Sequence, residues 1–142
     1  MEKLTRTVLI TQGWRLVADE WPPGRVVDIP VEPLRVLDAI RLYDALNSAQ
    51  TLDANGWSVH TGVLSSRILL AQTPPQPGRA IAGIEIDITA GYGDAPGDVP
   101  QPLRQAILLL VARAYENRGD AGAGEGAEVE HLIAPFRKMR LA

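Results

Sequence analysis

The chain has 142 residues, 46% hydrophobic, 22% charged and 5% aromatic, which suits one compact domain with a modest core. Lys plus Arg number 14 against 17 for Asp plus Glu, a net charge of −3, so no strong positive field draws the chain to nucleic acid or anionic lipid. The absence of cysteine excludes a disulfide scaffold, a thiolate metal site and a cysteine nucleophile, and it fits a reducing compartment.

The opening Met1-Glu2-Lys3-Leu4-Thr5-Arg6-Thr7 lacks a basic start followed by a long apolar core, so no signal peptide is expected and synthesis in the cytosol is the default. Residues 7–18 carry Val8, Leu9, Ile10, Trp14, Leu16 and Val17, a β-branched and aromatic run that predicts a strand with Gly13 as its weak point. Trp21-Pro22-Pro23-Gly24 ends it, because proline cannot donate to a ladder. Residues 26–29 and 34–42 read as further strands, the second alternating partly through Leu34, Val36, Ala39, Ile40 and Leu42. Residues 47–56 are polar, and Asp53-Ala54-Asn55-Gly56 predicts a tight turn in which Asn and Gly take positive φ.

Residues 57–61 and 67–71 then read as two strands. Thr73-Pro74-Pro75-Gln76-Pro77-Gly78 is a second hard break. Beyond it, Ile84, Ile86 and Ile88 alternate with Glu85 and Asp87, the clearest strand signal in the chain.

From residue 100 the period changes and a helix is predicted over 100–118. Pro100 and Pro102 fall in its first turn, where backbone donors lack intrahelical partners, and Asp98 favours the positive end of the dipole. Leu103, Ile107, Leu110, Val111 and Ala114 share one face, Arg118 sits in the last turn and Gly119 is a natural stop. Leu108 and Leu109 lie outside that stripe, so the helix is apolar nearly all round and requires cover on more than one side, from the sheet and from another helix or a neighbouring subunit. The longest apolar run, 106–112, is about a third of the ~20 residues a membrane-spanning helix needs. Residues 119–127 read as a Gly- and Ala-rich flexible linker, and 128–142 as a tail with Leu132, Ile133, Phe136 and Met139 as apolar anchors beside Arg137, Lys138 and Arg140. That tail is consistent with a solvated terminus, a protein-docking segment or a small phosphate contact.

Chemistry is hard to find. Gly91-Tyr92-Gly93-Asp94-Ala95-Pro96-Gly97 imitates a dinucleotide fingerprint, but its glycine spacing is one residue too long and Asp94 and Asp98 place negative charge where a phosphate would sit. An ordinary strand-to-helix turn explains it. His60 and His131 stand too far apart in sequence to suggest a zinc site, Glu85 and Asp87 share the polar face of a strand, and Ser65-Ser66 lacks an elbow and a base. No cofactor, metal or catalytic residue is expected. Trp14, Trp21 and Trp57 read as core or sheet-edge aromatics; the alternative is a small non-catalytic peptide- or ligand-binding module with a pocket lined by them.

Ile88-Thr89-Ala90-Gly91-Tyr92-Gly93-Asp94, Val99-Pro100, the run Leu103 to Val111 and Tyr115-Glu116-Asn117-Arg118 together resemble the phage head-tail connector (adaptor) family, which gene transfer agents also use. Ile10-Thr11-Gln12-Gly13-Trp14-Arg15-Leu16 with Trp21-Pro22, Ile29-Pro30-Val31-Glu32-Pro33-Leu34, and Leu132-Ile133-Ala134-Pro135-Phe136-Arg137 extend the resemblance over nearly the whole chain. Such proteins usually begin with about two helices before the Gln-x-Trp strand, and here only residues 2–6 correspond to the end of the second. Absent helices would account for Leu108 and Leu109 as well as a subunit contact would.

The resemblance implies a non-catalytic virion component. It would form a ring, dodecameric like the portal, below the portal vertex of a phage or gene-transfer-agent particle. It would join portal protein to tail stopper and let DNA pass, and a slightly acidic subunit suits such a channel, because a lumen rich in arginine would grip phosphate. The expected partners are portal, stopper, further copies of the chain and DNA in transit, with no membrane, after assembly in the bacterial cytoplasm. The partner-binding residues it suggests are Leu108, Leu109, Leu132, Ile133, Phe136, Arg137, Lys138, Met139 and Arg140, with 128–142 as docking arm and 119–127 as its hinge. The expected fold is α+β: a mostly antiparallel sheet over about 7–90 packed on the helix at 100–118, ending a single domain 1–118.

Overall fold

The computed structural model describes residues 1–62, 65–117 and 126–137. A short helix α1 (Glu2–Thr5) leads into β1 (Gln12–Ala18), β2 (Val26–Ile29), β3 (Leu34–Tyr43), β4 (Ala49–Thr51), β5 (Trp57–Thr61), β6 (Ser66–Leu70) and β7 (Ile84–Ala90), followed by helices α2 (Gln101–Glu116) and α3 (Ala127–Ile133). The strands form two antiparallel sheets, one of four in the order β1-β7-β3-β4 and one of three in the order β2-β6-β5. The α+β class read from the sequence is therefore observed, with the strands divided between two sheets.

Alternation explains how the sheets close on each other. In β7, Ile84, Ile86 and Ile88 are at most 4% exposed while Glu85 and Asp87 face outward. They meet Leu37, Ile40 and Leu42 of β3, and Ile29, Ile68 and Leu70 from the other sheet, in one apolar core. Trp21 is buried there, its indole Nε1 donating to the Pro75 carbonyl at 3.0 Å, and Trp57 packs half-buried on the same core. Both tryptophans are core aromatics, whereas Trp14 on β1 is 43% exposed.

Three local expectations change. The first strand starts at Gln12, because residues 7–10 make only isolated parallel bridges, Thr7 to Glu32 and Ile10 to Gly93. The polar stretch 47–56 contains β4, which pairs with the end of β3 as an edge strand. The positive φ in that stretch belongs to Asn47, at 63°; Asn55 and Gly56 instead lie in a 3-10 turn over Ala54–Gly56, capped by the Asp53 carboxylate accepting from Asn55 N at 2.8 Å.

The helix α2 runs Gln101–Glu116 behind an N-cap at Pro100, with Asn117 as C-cap. Leu103 and Ala106 are fully buried, Ile107, Leu109 and Leu110 half-buried, and Val111 and Ala114 exposed. The buried face is thus rotated from the expected stripe toward Ala106 and Leu109. Its cause is α3, which packs along α2 and draws that side inward. Arg118, Gly119 and most of the linker (119–125), like 138–142, lie outside the described residues.

Candidate docking surfaces

A second apolar cluster stands apart from the sheet core. Val99, Leu103 and Ala106 meet Val129 and Ile133 of α3, with Met1, Leu4, Leu9, Ile10, Tyr92, Leu110 and Phe136 packed around them. The turn that resembles a phosphate loop serves this junction. Gly91 has φ 133°, and a Cβ there would come within 2.6 Å of Thr11 N, so only glycine lets β7 hook under residues 9–11. Tyr92 N–H donates to Leu9 O at 3.1 Å and Thr11 N–H to Gly93 O at 2.9 Å. A Cβ on Gly93 would meet the Asp98 side chain, which itself accepts from Ala95 N at 2.9 Å. Asp94 pairs with Arg35 at 3.3 Å. The turn's polar groups are committed to the fold, and burial pushes the Tyr92 hydroxyl above its usual range, with a hydrogen bond from Thr7 acting the other way.

The residues singled out for partner binding divide by environment. Leu108 is 69% exposed, on the α2 face that also displays Val111 and Tyr115. Leu109 and Leu132 are half-buried and line, with Gln105, Ala127, Glu128 and His131, an open groove of about 630 Å³ between α2 and α3. Ile133 is fully buried and ties the C-terminal segment to α2. Phe136 is half-buried in the 3-10 turn Ala134–Phe136, and Arg137 pairs with Glu130 at 2.8 Å. Lys138, Met139 and Arg140 lie outside the described residues. The stretch 127–137 is therefore a folded element held on α2.

On the outer face of the four-stranded sheet, Glu85 and Asp87 are ion-paired rather than simply solvated. Arg15 Nε donates to Asp87 Oδ1 at 2.7 Å, Arg41 Nη1 bonds Asp87 Oδ2, and Tyr43 OH donates to Glu85 Oε2 at 3.0 Å. The Arg15 hydrogen bond holds the Asp87 carboxyl below the usual carboxylate range; burial opposes it, and the Arg41 hydrogen bond and the two guanidinium charges add to the lowering. Among the described residues no cluster of His, Asp and Glu has the arrangement of a metal site, and no helix is long and apolar enough to cross a membrane.

One polar residue escaped sequence reasoning. Glu32 is 3% exposed, and its carboxylate accepts from Ser66 N, from Ser66 Oγ at 2.9 Å and from Leu34 N at 3.1 Å, while its carbonyl accepts from Val8 N at 2.6 Å. It ties the N-terminal segment, β3 and β6 together. The only sequence cue is an acid between two prolines in an otherwise apolar stretch, Pro30-Val31-Glu32-Pro33-Leu34.

No family model and no curated protein matches the chain. Solved structures do. A chain from the virion of a native gene transfer agent (GTA) particle is 33% identical with a TM-score of 0.85, covering 99% of this chain and 72% of its own length. A chain from the neck of the native particle computed with C12 symmetry matches at 33% identity and TM-score 0.85, over 99% and 77%. One from the neck of the empty particle computed with C6 symmetry matches at the same identity and TM-score, over 99% and 73%. Agreement in sequence as well as in fold, over nearly every residue, means that this chain belongs to the family of GTA particle neck proteins, structural components of the virion.

Proposed function

We propose that the chain is the head-tail adaptor of its particle: a subunit that assembles as a ring, twelvefold like the portal, between the portal protein and the tail stopper, leaving a channel for DNA. The observation that carries this reading is the match over 99% of the chain to a neck chain in an assembly computed with C12 symmetry. Cyclic assembly requires a heterologous contact, one face of a subunit on a different face of its neighbour. The chain's net charge of −3 suits a conduit that must not retain phosphate. Its role in this reading is mechanical, and the buried polar side chains of Thr5, Thr7, Glu32 and Ser66 are bonded to one another within the fold.

The C-terminal segment is the portal-docking arm in this reading. Val129 and Ile133, both fully buried, anchor it, leaving Leu132, Phe136, Arg137 and residues 138–142 for the portal, with the exposed Leu108 at the middle of α2 for a neighbour or for the portal. The test is to delete the gene, complement it with variants and image the particles. Loss of the chain should give heads without tails, and Phe136→Glu with truncation after 137 should abolish capture by purified portal while circular dichroism stays that of the folded chain, its Tm lowered by the lost packing of Phe136. Tail joining at the normal frequency without the chain overturns the adaptor role. Unchanged portal capture by the truncated Phe136→Glu variant overturns the docking assignment.

A further inference from the structure

The main-chain edges of the two sheets differ in how they are protected. Edge strands are ordinarily kept short, interrupted by proline or bulged, because an open row of N–H and C=O groups accepts another strand. β4 has 3 residues. β2 has 4, between Pro22-Pro23 on one side and Pro30 on the other. β1 has 7 residues, contains no proline, pairs with β7 in unbroken register and is the most exposed strand of its sheet that exceeds 3 residues. β5 has 5 residues and no proline.

The direction of the open groups follows from the bonds at the strand ends. Gly91 N–H donates to Pro33 O on the β3 side and Tyr92 N–H to Leu9 O on the β1 side, so the even-numbered residues of β7 face β1. Register then turns Gln12, Trp14, Leu16 and Ala18 inward and leaves the N–H and C=O groups of Gly13, Arg15 and Val17 directed at the free edge. In the other sheet, Ala71 N–H donates to Gly56 O and Leu70 N–H to Arg25 O, so Ser58 and His60 pair with β6 while Trp57, Val59 and Thr61 present their groups outward. Short connections, 19–25 from β1 to β2 and 52–56 from β4 to β5, keep β1 beside β2 and β4 beside β5. The two edges, open among the described residues, therefore lie on opposite flanks, with the same number of outward residues on each.

From this we infer that adjacent copies of the chain are joined edge to edge, the β1 edge of one subunit pairing with the β5 edge of the next, so that sheet hydrogen bonding continues around the ring. This rests on the ring reading above and names the surface that closes it. The occupant is a second copy because the related neck chains sit in cyclic assemblies and because an open edge on each flank is the heterologous pair that a cyclic ring requires. Only an extended backbone can satisfy alternating donors and acceptors at this spacing.

The chain's lack of cysteine makes the test direct. Full-length Gly13→Cys/Thr61→Cys protein, assembled into particles and treated with a bis-maleimide, should yield a ladder of covalent multimers, while each single-cysteine chain yields none. Val17→Pro and Thr61→Pro each remove one outward N–H at an exposed position, a change tolerated on an open edge, and should lower incorporation into particles at least about tenfold with unaltered circular dichroism; Val17→Thr should incorporate normally. A dimer from either single-cysteine chain, a cross-link to a different protein, or no ladder from particles that contain the chain overturns the edge pairing and leaves the adaptor reading intact. Particles whose necks lack even the wild-type chain overturn the adaptor reading and this inference with it.

Discussion

Replacing Glu32 tests how the fold is held at its least apolar point. The carboxylate receives bonds from Ser66 N and Ser66 Oγ in β6 and from Leu34 N at the start of β3, in a site only 3% exposed. Glu32→Ala leaves two buried backbone donors and a hydroxyl unpaired, each costing about 1–3 kcal/mol, partly offset because a charged group no longer has to be desolvated. The net expectation is a loss of about 3–5 kcal/mol, the lower part of the sum over three unpaired neutral groups once the desolvation offset is taken. Glu32→Gln separates hydrogen bonding from size. With its oxygen placed toward Ser66 N, its amide can donate to Ser66 Oγ, and only Leu34 N loses its acceptor, so the cost falls to about 1–2 kcal/mol.

Urea denaturation measures both. With a slope of about 2 kcal/mol per molar, the alanine midpoint drops roughly 1.5–2.5 M and the glutamine midpoint by less than about 1 M, at unchanged slope. Equal losses for the two variants would show that the charged, doubly accepting carboxylate, and not side-chain volume, is what Glu32 supplies, because glutamine keeps the volume. A loss below about 1 kcal/mol for alanine would refute the argument altogether.

Gly91→Ala should destabilise by at least about 2 kcal/mol, read as a fall in Tm, because φ 133° excludes a side chain and its Cβ would lie 2.6 Å from Thr11 N. Ile133→Ala, at a fully buried site under α2, should cost about 2–5 kcal/mol and speed hydrogen exchange in α3 before β7, whereas Leu108→Ala, 69% exposed, should leave stability within about 0.5 kcal/mol. Asp87 has a folded pKa below its unfolded value of about 3.9, so its contribution is present above that value and is lost as pH falls through the lower, folded one. Asp87→Asn should therefore flatten the acid limb of a stability-versus-pH curve below about pH 4, by about 1 kcal/mol or less, since Arg15 is solvent-screened. An unchanged acid limb would place the acid sensitivity elsewhere.

Most of the local elements were legible because they obey one period each. The alternation of Ile84, Ile86 and Ile88 fixes a half-buried strand, and the helical spacing behind Pro100 and Pro102 fixes α2 to within two residues at its start. Residues 7–10 misled because their β-branched composition satisfies a strand's propensity, yet a strand needs a partner along its length, and here only Thr7 and Ile10 find one. The Asn55-Gly56 pair misled in the opposite way, since the Asp53 cap draws it into a 3-10 turn. Of the docking residues, the apolar character of 132–136 was visible but not which side chains it spends on its own body.

The sequence alone determined what can be decided within a few neighbouring residues: strand and helix periods, the proline breaks, the glycine-bearing turn between strand and helix, and the motif order that resembles a head-tail connector. Tertiary structure decided what depends on residues far apart in the chain. Glu32 is an interior tether only because Ser66 arrives beside it, β1 is an open edge only because β7 occupies its other side, and Ile133 is buried only because α3 returns to α2. The physical reason is that burial and hydrogen-bond satisfaction belong to the assembled neighbourhood of a residue, which local pattern does not contain.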